Sequence, residues 1–351
     1  MIAPLDWGIG HAARCIPVIR AFLDKNVRVF IAACGGGEKL LRENFPDLVF
    51  LPTQSYDVSY SATGNMTKVM VLQAPKIIYR IWKEHVWIKN VIRQYAIDIV
   101  VSDNRYGLFC ADAKTIFLTH QLQVKAPARW IENILYGMVK YFVKKYDYCW
   151  VVDNKTAPCL GGELSHPRKK LPKNVTYVGI LSRFHAWNKP VVKKKENQLL
   201  VLLSGPEPNR TLLERKLVSV LAGIGHDVVF VRGCLGHREV PYKCSNIRFY
   251  NHLPSQDLAA VIMESEYIIC RSGYSTLMDL ASLGSTASLL LVPTPGQTEQ
   301  EYLAEYLTKE KKSYSSFENE QDFLSFMQLE NRCLPYIGEN TALQLELNKI
   351  I

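Results

Sequence analysis

The 351 residues contain no C-x-x-C pair, no D-x-D pair and no apolar run of membrane-spanning length, and no block of like charge interrupts them. Each absence excludes something. The nine cysteines (Cys15, Cys34, Cys110, Cys149, Cys159, Cys234, Cys244, Cys270 and Cys333) are odd in number, and several sit in apolar runs such as Ile268-Ile269-Cys270. That usage fits reduced, buried thiols in a cytosolic chain rather than a disulfide frame or a thiolate zinc site. A diphosphate held through a metal ion needs carboxylates placed to share the ion, and no D-x-D supplies them. A membrane helix needs about 20 apolar residues in succession, so no span is expected. No basic segment followed by an apolar core opens the chain, so no signal peptide is expected either.

What is present describes an ordinary globular protein. Apolar residues make up 48% and charged residues 21%, enough for a core and too evenly spread for disorder. At about 100–200 residues per domain, two domains are expected. The net charge of +9 is uneven: residues 1–180 carry +10 and residues 181–351 carry −1. A bias of that kind attracts an anionic partner: nucleic acid, an anionic membrane surface or a phosphate-bearing substrate. Nucleic acid has only charge in its favour, since no recognised module accompanies it.

Short apolar runs alternate with helical patterns. Residues 27–33, 97–102, 114–119 and 148–152 read as strands, with periodic segments at 15–23 and 76–95 between them. Strands alternating with helices imply a parallel, doubly wound sheet. The polar, basic stretch 182–198, with Pro190, reads as a linker. A second α/β series follows: strands at 199–203, 227–232, 247–250, 267–270 and 288–292, and a helix at 210–222. The expected organisation is a Rossmann-like domain over 1–181, a linker over 182–198, a second Rossmann-like domain over 199–335 and a C-terminal helix over 336–351. Two such domains face each other across a cleft in this reading, and ligands gather at the carboxyl ends of the strands.

Three loops carry candidate chemistry. The first, Asp6-Trp7-Gly8-Ile9-Gly10-His11, follows a strand and opens a helix. Gly8 and Gly10 would let the backbone approach a ligand, and the helix N-terminus favours anions. Position 13 is Ala and no acidic residue ends the next strand, so this is not the dinucleotide fingerprint. It reads equally as a tight turn with a packing histidine. The second loop, Cys270-Arg271-Ser272-Gly273-Tyr274-Ser275-Thr276, ends a buried strand. Ser272 and Gly273 make the turn, Ser275 or Thr276 can cap the helix, and Asp279 lies about one turn in, where a carboxylate can accept from both ribose hydroxyls. The alternative is a plain strand–cap–helix unit. The third loop, Pro293-Thr294-Pro295-Gly296-Gln297-Thr298-Glu299-Gln300-Glu301-Tyr302, offers the mixed donors and acceptors that sugar hydroxyls need, or is a solvated helix start. Ser204-Gly205-Pro206, between strand and helix, could offer backbone amides to a phosphate, with Arg210 adding charge.

The second and third loops together resemble the donor half of MurG-type, lipid-linked N-acetylglucosaminyltransferases. The run Cys270–Gly273, the acidic Asp279, then Val292-Pro293 and a Gln/Glu-rich segment carry the resemblance, and the runs Ser204–Thr211 and Pro293–Tyr302 resemble a bacterial branch of MurG-like enzymes. The resemblance covers residues 200–300 well and 1–130 more loosely. It implies a GT-B fold, a UDP-sugar donor held by the second domain and an acceptor held by the first. The UDP-sugar is expected as co-substrate with no cofactor, the missing D-x-D leaves no metal expected, and the basic first half suggests a sugar or lipid-linked acceptor. Asp279 would hold the ribose, where the relatives have Glu. Gln300 and Glu301 would hold sugar hydroxyls beside Gln297, although the relatives have Gln at the second position. His252 and Leu253, in the turn after Asn251, resemble the base-contacting segment. Arg271, Arg183 and Arg210 are candidates to neutralise a departing diphosphate.

Transfer to a hydroxyl needs a general base. His11, then His120 in Thr119-His120-Gln121, and Asp103 in Ser102-Asp103-Asn104 are the candidates, each following a predicted strand end. Two basic amphipathic segments, 76–95 and 129–145, read either as core helices with a wet face or as helices lying on an anionic membrane. The location expected is cytoplasmic, with attachment to the inner membrane face as the second of those readings. A nucleotide-sugar epimerase or hydrolase of the same fold, or a non-catalytic donor-binding subunit, are the competing functions.

Overall fold

The computed structural model describes residues 1–56, 66–184, 192–234, 239–315, 325–338 and 341–351. They fall into two compact units, one holding 1–56, 66–183 and 341–351, the other 184, 192–234, 239–315 and 325–338. Part of the expected linker, 185–191, lies outside the described residues.

The first unit is built on a parallel sheet of β1 (Ile2–Pro4), β2 (Phe30–Ala33), β3 (Val49–Pro52), β4 (Ile99–Asp103), β5 (Lys114–Thr119), β6 (Tyr148–Val151) and β7 (Val175–Tyr177), in the order β3-β2-β1-β4-β5-β6-β7. Its helices are α1 (Ile9–Leu23), α2 (Gly35–Asn44), α3 (Met66–Tyr95) and α4 (Arg129–Val143). The inner strands are buried on both faces, so they read as unbroken apolar runs such as Val100-Val101 and Ile116-Phe117-Leu118, all at 0% exposure. Strand β2 is shorter than the apolar run 27–33 suggests. Asn26 takes φ +58°, and the amide of Val27 bonds back to Phe22, so residue 27 still belongs to the turn.

The second unit repeats the scheme with β8 (Gln198–Leu202), β9 (Asp227–Val231), β10 (Ile247–Tyr250), β11 (Tyr267–Cys270), β12 (Ser288–Leu291) and β13 (Tyr314–Ser315), in the order β10-β9-β8-β11-β12-β13, all parallel. Helices α5 (Asn209–Leu221), α6 (Ser255–Glu264), α7 (Tyr274–Leu283) and α8 (Thr298–Lys309) connect them. Leu199, Val201, Leu217, Val228, Phe230 and Ile269 form its core, each at 0% exposure. Helix α7 stops where Gly284 takes φ +70°, and the amide of Ser285 bonds back to Leu280. A side chain is strained in that left-handed conformation, so glycine fits the stop.

The last helix, α9 (Ala342–Ile350), belongs to the first unit: Lys114 Nζ donates to the carbonyl of Ile350 at 2.7 Å. Among the described residues no helix is long and apolar enough to cross a membrane.

In each sheet the winding reverses beside the first strand, at β1/β4 and at β8/β11. Crevices open at such switch points beyond the strands' carboxyl ends. The loops singled out in the sequence leave β1, β4 and β5 in one unit, and β8, β11 and β12 in the other.

Candidate active site

In the first unit, the three candidate bases meet. Register pairs Pro4 with Asp103 and Asp103 with Leu118, which brings the ends of β1, β4 and β5 level. Gly8 precedes α1 with φ +91°, a conformation that only glycine adopts without strain, and turns the chain into the helix. His11 is the third residue of α1, and Arg14 and Cys15 lie one helical turn further on the same face. His11 Nδ1 lies 3.0 Å from Asp103 Oδ2. Arg14 donates from Nε to the same oxygen at 3.0 Å and from Nη2 to Asp103 Oδ1. Its Nη1 stands 2.6 Å from His120 Nδ1 and its Nη2 2.8 Å from His11 Nδ1. The Cys15 thiol points at Asp103 from 3.8 Å.

Burial assigns different roles within this cluster. Asp103 is fully buried, Arg14 is 3% exposed and His120 4%, whereas the His11 side chain is 14% exposed. His11 is therefore the member that solvent, or a substrate, can reach. Burial works to raise the Asp103 carboxyl, but Arg14 and then His11 outweigh it and hold it at about 2. The His11 imidazole is pushed below its ordinary value, first by burial and then by the Arg14 charge, with Asp103 opposing. The chemical product is a neutral imidazole oriented by an ionised carboxylate, the arrangement of a general base.

Sequence reading missed Arg14. Its signal was the spacing: an arginine three residues after a histidine at a helix start must face the same strand ends. It also missed what stands behind β4. Asn104 takes φ +55°, which turns the next side chain away from Asp103. Arg105, fully buried, donates from Nε to Glu84 Oε1 at 2.6 Å and from Nη2 to the carbonyl of Gln54 at 2.7 Å. Gly10 lies in the first turn of α1, half-buried.

In the second unit, the structure revises several expectations. Arg271 was expected to face a diphosphate. It is 3% exposed and donates to the carbonyls of Val292 (3.2 Å), Pro293 (2.9 Å) and Asn209 (2.9 Å), so it ties the loops after β8 and β12 together. Burial lowers its guanidinium to about 10. Arg210 is 4% exposed and is committed to Glu207, at 2.7 Å, and to the buried Glu214. Arg232 binds the other oxygen of Glu214 at 2.9 Å and donates to Asn251 Oδ1 at 2.7 Å. Buried arginines need paired acceptors, and these have found them inside the fold. Glu207 also accepts from the amide of Thr211 at 3.2 Å, so a carboxylate already sits at the first turn of α5.

Ser275 and Thr276 do not cap α7. The helix begins one residue earlier, at Tyr274, with Gly273 at the cap position and no side-chain cap. The Ser272 hydroxyl donates to the carbonyl of Gln300 at 2.7 Å and joins this turn to α8. Asp279 is 6% exposed in the second turn of α7. Helix α8 likewise lacks a side-chain cap at Gln297. Gln300 is engaged at both ends, with the amide of Thr294 (2.9 Å) and with Gln297 Oε1 (2.5 Å). Glu301 accepts from the amide of Gly296 at 2.7 Å. His252 is half-buried and Leu253 buried, in the turn anchored through Asn251.

Elsewhere in the first unit, Asp153, Cys159 and His166 bring ligand-type atoms within 4.8 Å of one another. Asp153 already accepts from the amides of Asn154 (2.8 Å), Leu160 (3.1 Å) and Gly161 (2.9 Å) and from the Ser165 hydroxyl (2.5 Å). A carboxylate filled by four donors closes a loop and has no lone pair left for an ion.

Helix α4 shows two apolar faces. Tyr136, Val139 and Val143 are buried, while Trp130, Ile134, Met138 and Tyr141 form an exposed stripe, with Trp130 66% exposed. Leu135 and Phe142, between the two faces, are half-buried. Helix α3 exposes Leu72, Tyr79, Trp82 and Val86, while Trp87 packs towards the core.

Residues 239–341 match the glycosyltransferase family 28 C-terminal domain. No curated protein matches the sequence. Solved structures match in fold. A spinosyn rhamnosyltransferase, SpnG, is 13% identical with a TM-score of 0.60, over 99% of this chain and 94% of that one. A Listeria monocytogenes protein assigned as a UDP-N-acetylglucosamine 2-epimerase is 12% identical with a TM-score of 0.59, over 99% and 94%. MurG of Acinetobacter baumannii is 12% identical with a TM-score of 0.51, over 100% and 93%. The fold is α/β, of the GT-B type.

Proposed function

We propose that the protein is a glycosyltransferase that moves a sugar, N-acetylglucosamine or a related hexose, from a UDP-sugar to an acceptor hydroxyl without a metal ion. The observation that carries this reading is the His11–Asp103 pair, a partly exposed neutral imidazole backed by a buried carboxylate at a switch point. Asp103 holds the Nδ1 proton, and Nε2 takes the acceptor's proton as its oxygen attacks the anomeric carbon. The bond between sugar and diphosphate breaks with its electrons going to UDP. With Arg210 and Arg271 committed elsewhere, the N-termini of α7 and α8 are the best available partners for that negative charge. The family 28 match supports a nucleotide-sugar donor, and Asp279 is assigned to the ribose.

The acceptor in this reading is lipid-linked or presented at a membrane. The exposed stripes of α3 and α4, beside Lys76, Lys83, Lys144 and Lys145, support it: apolar faces bordered by basic residues suit an anionic bilayer surface. The first unit thereby docks on the cytoplasmic face of a membrane.

Turnover of a panel of nucleotide sugars, with and without lipid extract and with and without EDTA, tests the function. UDP-sugar consumption that needs lipid extract and survives chelation is expected. Loss of turnover on chelation, restored by magnesium or manganese, would remove the metal-free part. Asp279→Ala should weaken UDP binding by about 1–3 kcal/mol, the worth of a charged acceptor; unchanged affinity by calorimetry would remove the ribose role. The fold likeness to the 2-epimerase favours one alternative, epimerisation of the donor itself, which would appear in the panel as a new UDP-sugar formed without any acceptor.

A further inference from the structure

The cluster around Asp103 holds a cation that base catalysis alone does not require. A carboxylate and an imidazole would suffice to orient a base. Here a third group, Arg14, occupies the carboxylate from both sides and reaches both histidines. A guanidinium stays protonated and only donates, so His120 Nδ1, 2.6 Å from Nη1, must be an acceptor and its proton must lie on Nε2. His11 Nδ1 faces an acceptor, Asp103, and a donor, Arg14, at once. The neutral ring can satisfy the first with its proton or the second with its lone pair. The charged ring gains Asp103 but meets the fixed positive charge of Arg14.

We propose that Arg14 is a positioning residue for His11: by engaging both oxygens of Asp103 and facing the imidazole with a permanent charge, it keeps His11 neutral, while Asp103, accepting the Nδ1 proton, leaves Nε2 free to take one. The inference rests on His11 being the base of the proposed transfer. The titratable and charged groups that face His11 are Arg14 from its own helix, Asp103 from the end of β4 and His120 from the loop after β5. Of these, Arg14 is the one permanent cation. Without it, only burial would oppose the pull of an ionised Asp103 at 3.0 Å on a His11 proton, and an imidazolium is no base.

The test is NMR titration of protein labelled with ¹⁵N in its histidine rings, with the His11 signal assigned by its loss in His11→Gln. The wild-type ring should titrate below the ordinary midpoint of about 6.5. Arg14→Gln should move the midpoint up, and Arg14→Lys, which keeps a charge, should move it back. In turnover, Arg14→Gln should lose about tenfold in kcat/KM near pH 6 and recover as pH rises, because each unit of midpoint shift changes the neutral fraction up to tenfold. A merely structural arginine would lower activity evenly across pH. An unchanged or lowered His11 midpoint in Arg14→Gln overturns the proposal. Should that variant fail to fold, a wild-type midpoint at or above the ordinary value overturns it equally. The titration needs no substrate, so it decides the role of Arg14 even if full turnover by His11→Ala removes His11 as the base.

Discussion

Each of the two sheets is parallel and reverses its winding beside its first strand, yet the two units use charge there in opposite ways. In the first, charged groups converge on a titratable ring that solvent can reach: Arg14 and Asp103 are buried and His11 is not. In the second, Arg210, Arg232 and Arg271 are sealed off. Arg210 and Arg232 share Glu214, and Arg271 spans three carbonyls. In the proposed reading the first unit supplies a proton acceptor, and the second a frame of paired arginines beside helices α7 and α8, which lack side-chain caps. The same architecture thus carries two arrangements of buried ions, and they differ in whether a titratable atom is left exposed.

The sharpest way to break this contrast is to remove the ring. His11→Ala should lower kcat by about 10²–10⁴ while leaving UDP affinity unchanged, since the base acts on the acceptor. Steady-state kinetics beside calorimetry checks it, and an equal loss of UDP binding would mean that the first unit also carries donor contacts.

The counterpart in the second unit is a stability effect. Glu214→Ala leaves two buried arginines without their shared carboxylate and should cost about 3–5 kcal/mol, as breaking buried pairs does. Urea unfolding followed by probes in the second unit reads it. A cost below about 1 kcal/mol would show that these arginines are free to rearrange, and would reopen them as partners for a diphosphate.

Acid should reveal the first unit's cluster. The folded Asp103 carboxyl lies at about 2, below its ordinary 3.8, so the unfolded chain takes up the proton first as pH falls. Its stabilisation is complete above about 3.8 and is lost as pH drops towards 2, about 2 kcal/mol in all. His11 acts in the same direction: its folded ring is the harder to protonate, so its share is present above 6.5 and declines below. Unfolding free energies measured from pH 7 down to pH 3 should fall, and Asp103→Asn should flatten the lower part of that curve. A curve unchanged by the substitution would contradict the ion pair.

The smallest effect expected is at the surface. Replacing Trp130 by Ser should weaken flotation of the protein with anionic liposomes, each basic residue near such a surface being worth about 1 kcal/mol and the ring adding to them. Attachment should vanish at high salt, where the Debye length shrinks to about 3 Å. Equal recovery with neutral lipid, or none with either, would count against attachment to an anionic surface and favour a soluble acceptor.

Much of the architecture was legible because it rests on local chemistry. Unbroken apolar runs such as Ile116–Leu118 mark strands buried on both faces, and the polar stretch near 182–198 separates two α/β series. Strands β3, β7 and β13 were not legible, being two to four residues long and on the outer side of their sheets. Helix α2 was hidden behind the three glycines at its start. For α4, sequence reading offered a core helix or a surface one. The folded helix is both, since its buried residues Tyr136, Val139 and Val143 and its exposed stripe occupy different faces that one apolar pattern cannot separate.

By itself the sequence determined which residues stand at strand ends, because periodicity and turn residues act over a few positions. It named His11, Asp103 and His120 as separate candidates. Only the tertiary structure decided that they form one cluster, because parallel strand register brings together residues 92 and 106 positions apart. It alone also decided the fate of the arginines. Arg14, Arg210 and Arg271 look alike in a sequence, but a buried guanidinium must find acceptors, and which ones it finds depends on what the fold packs against it. For Arg14 the fold supplied Asp103 beside two histidines; for Arg271 it supplied three backbone carbonyls.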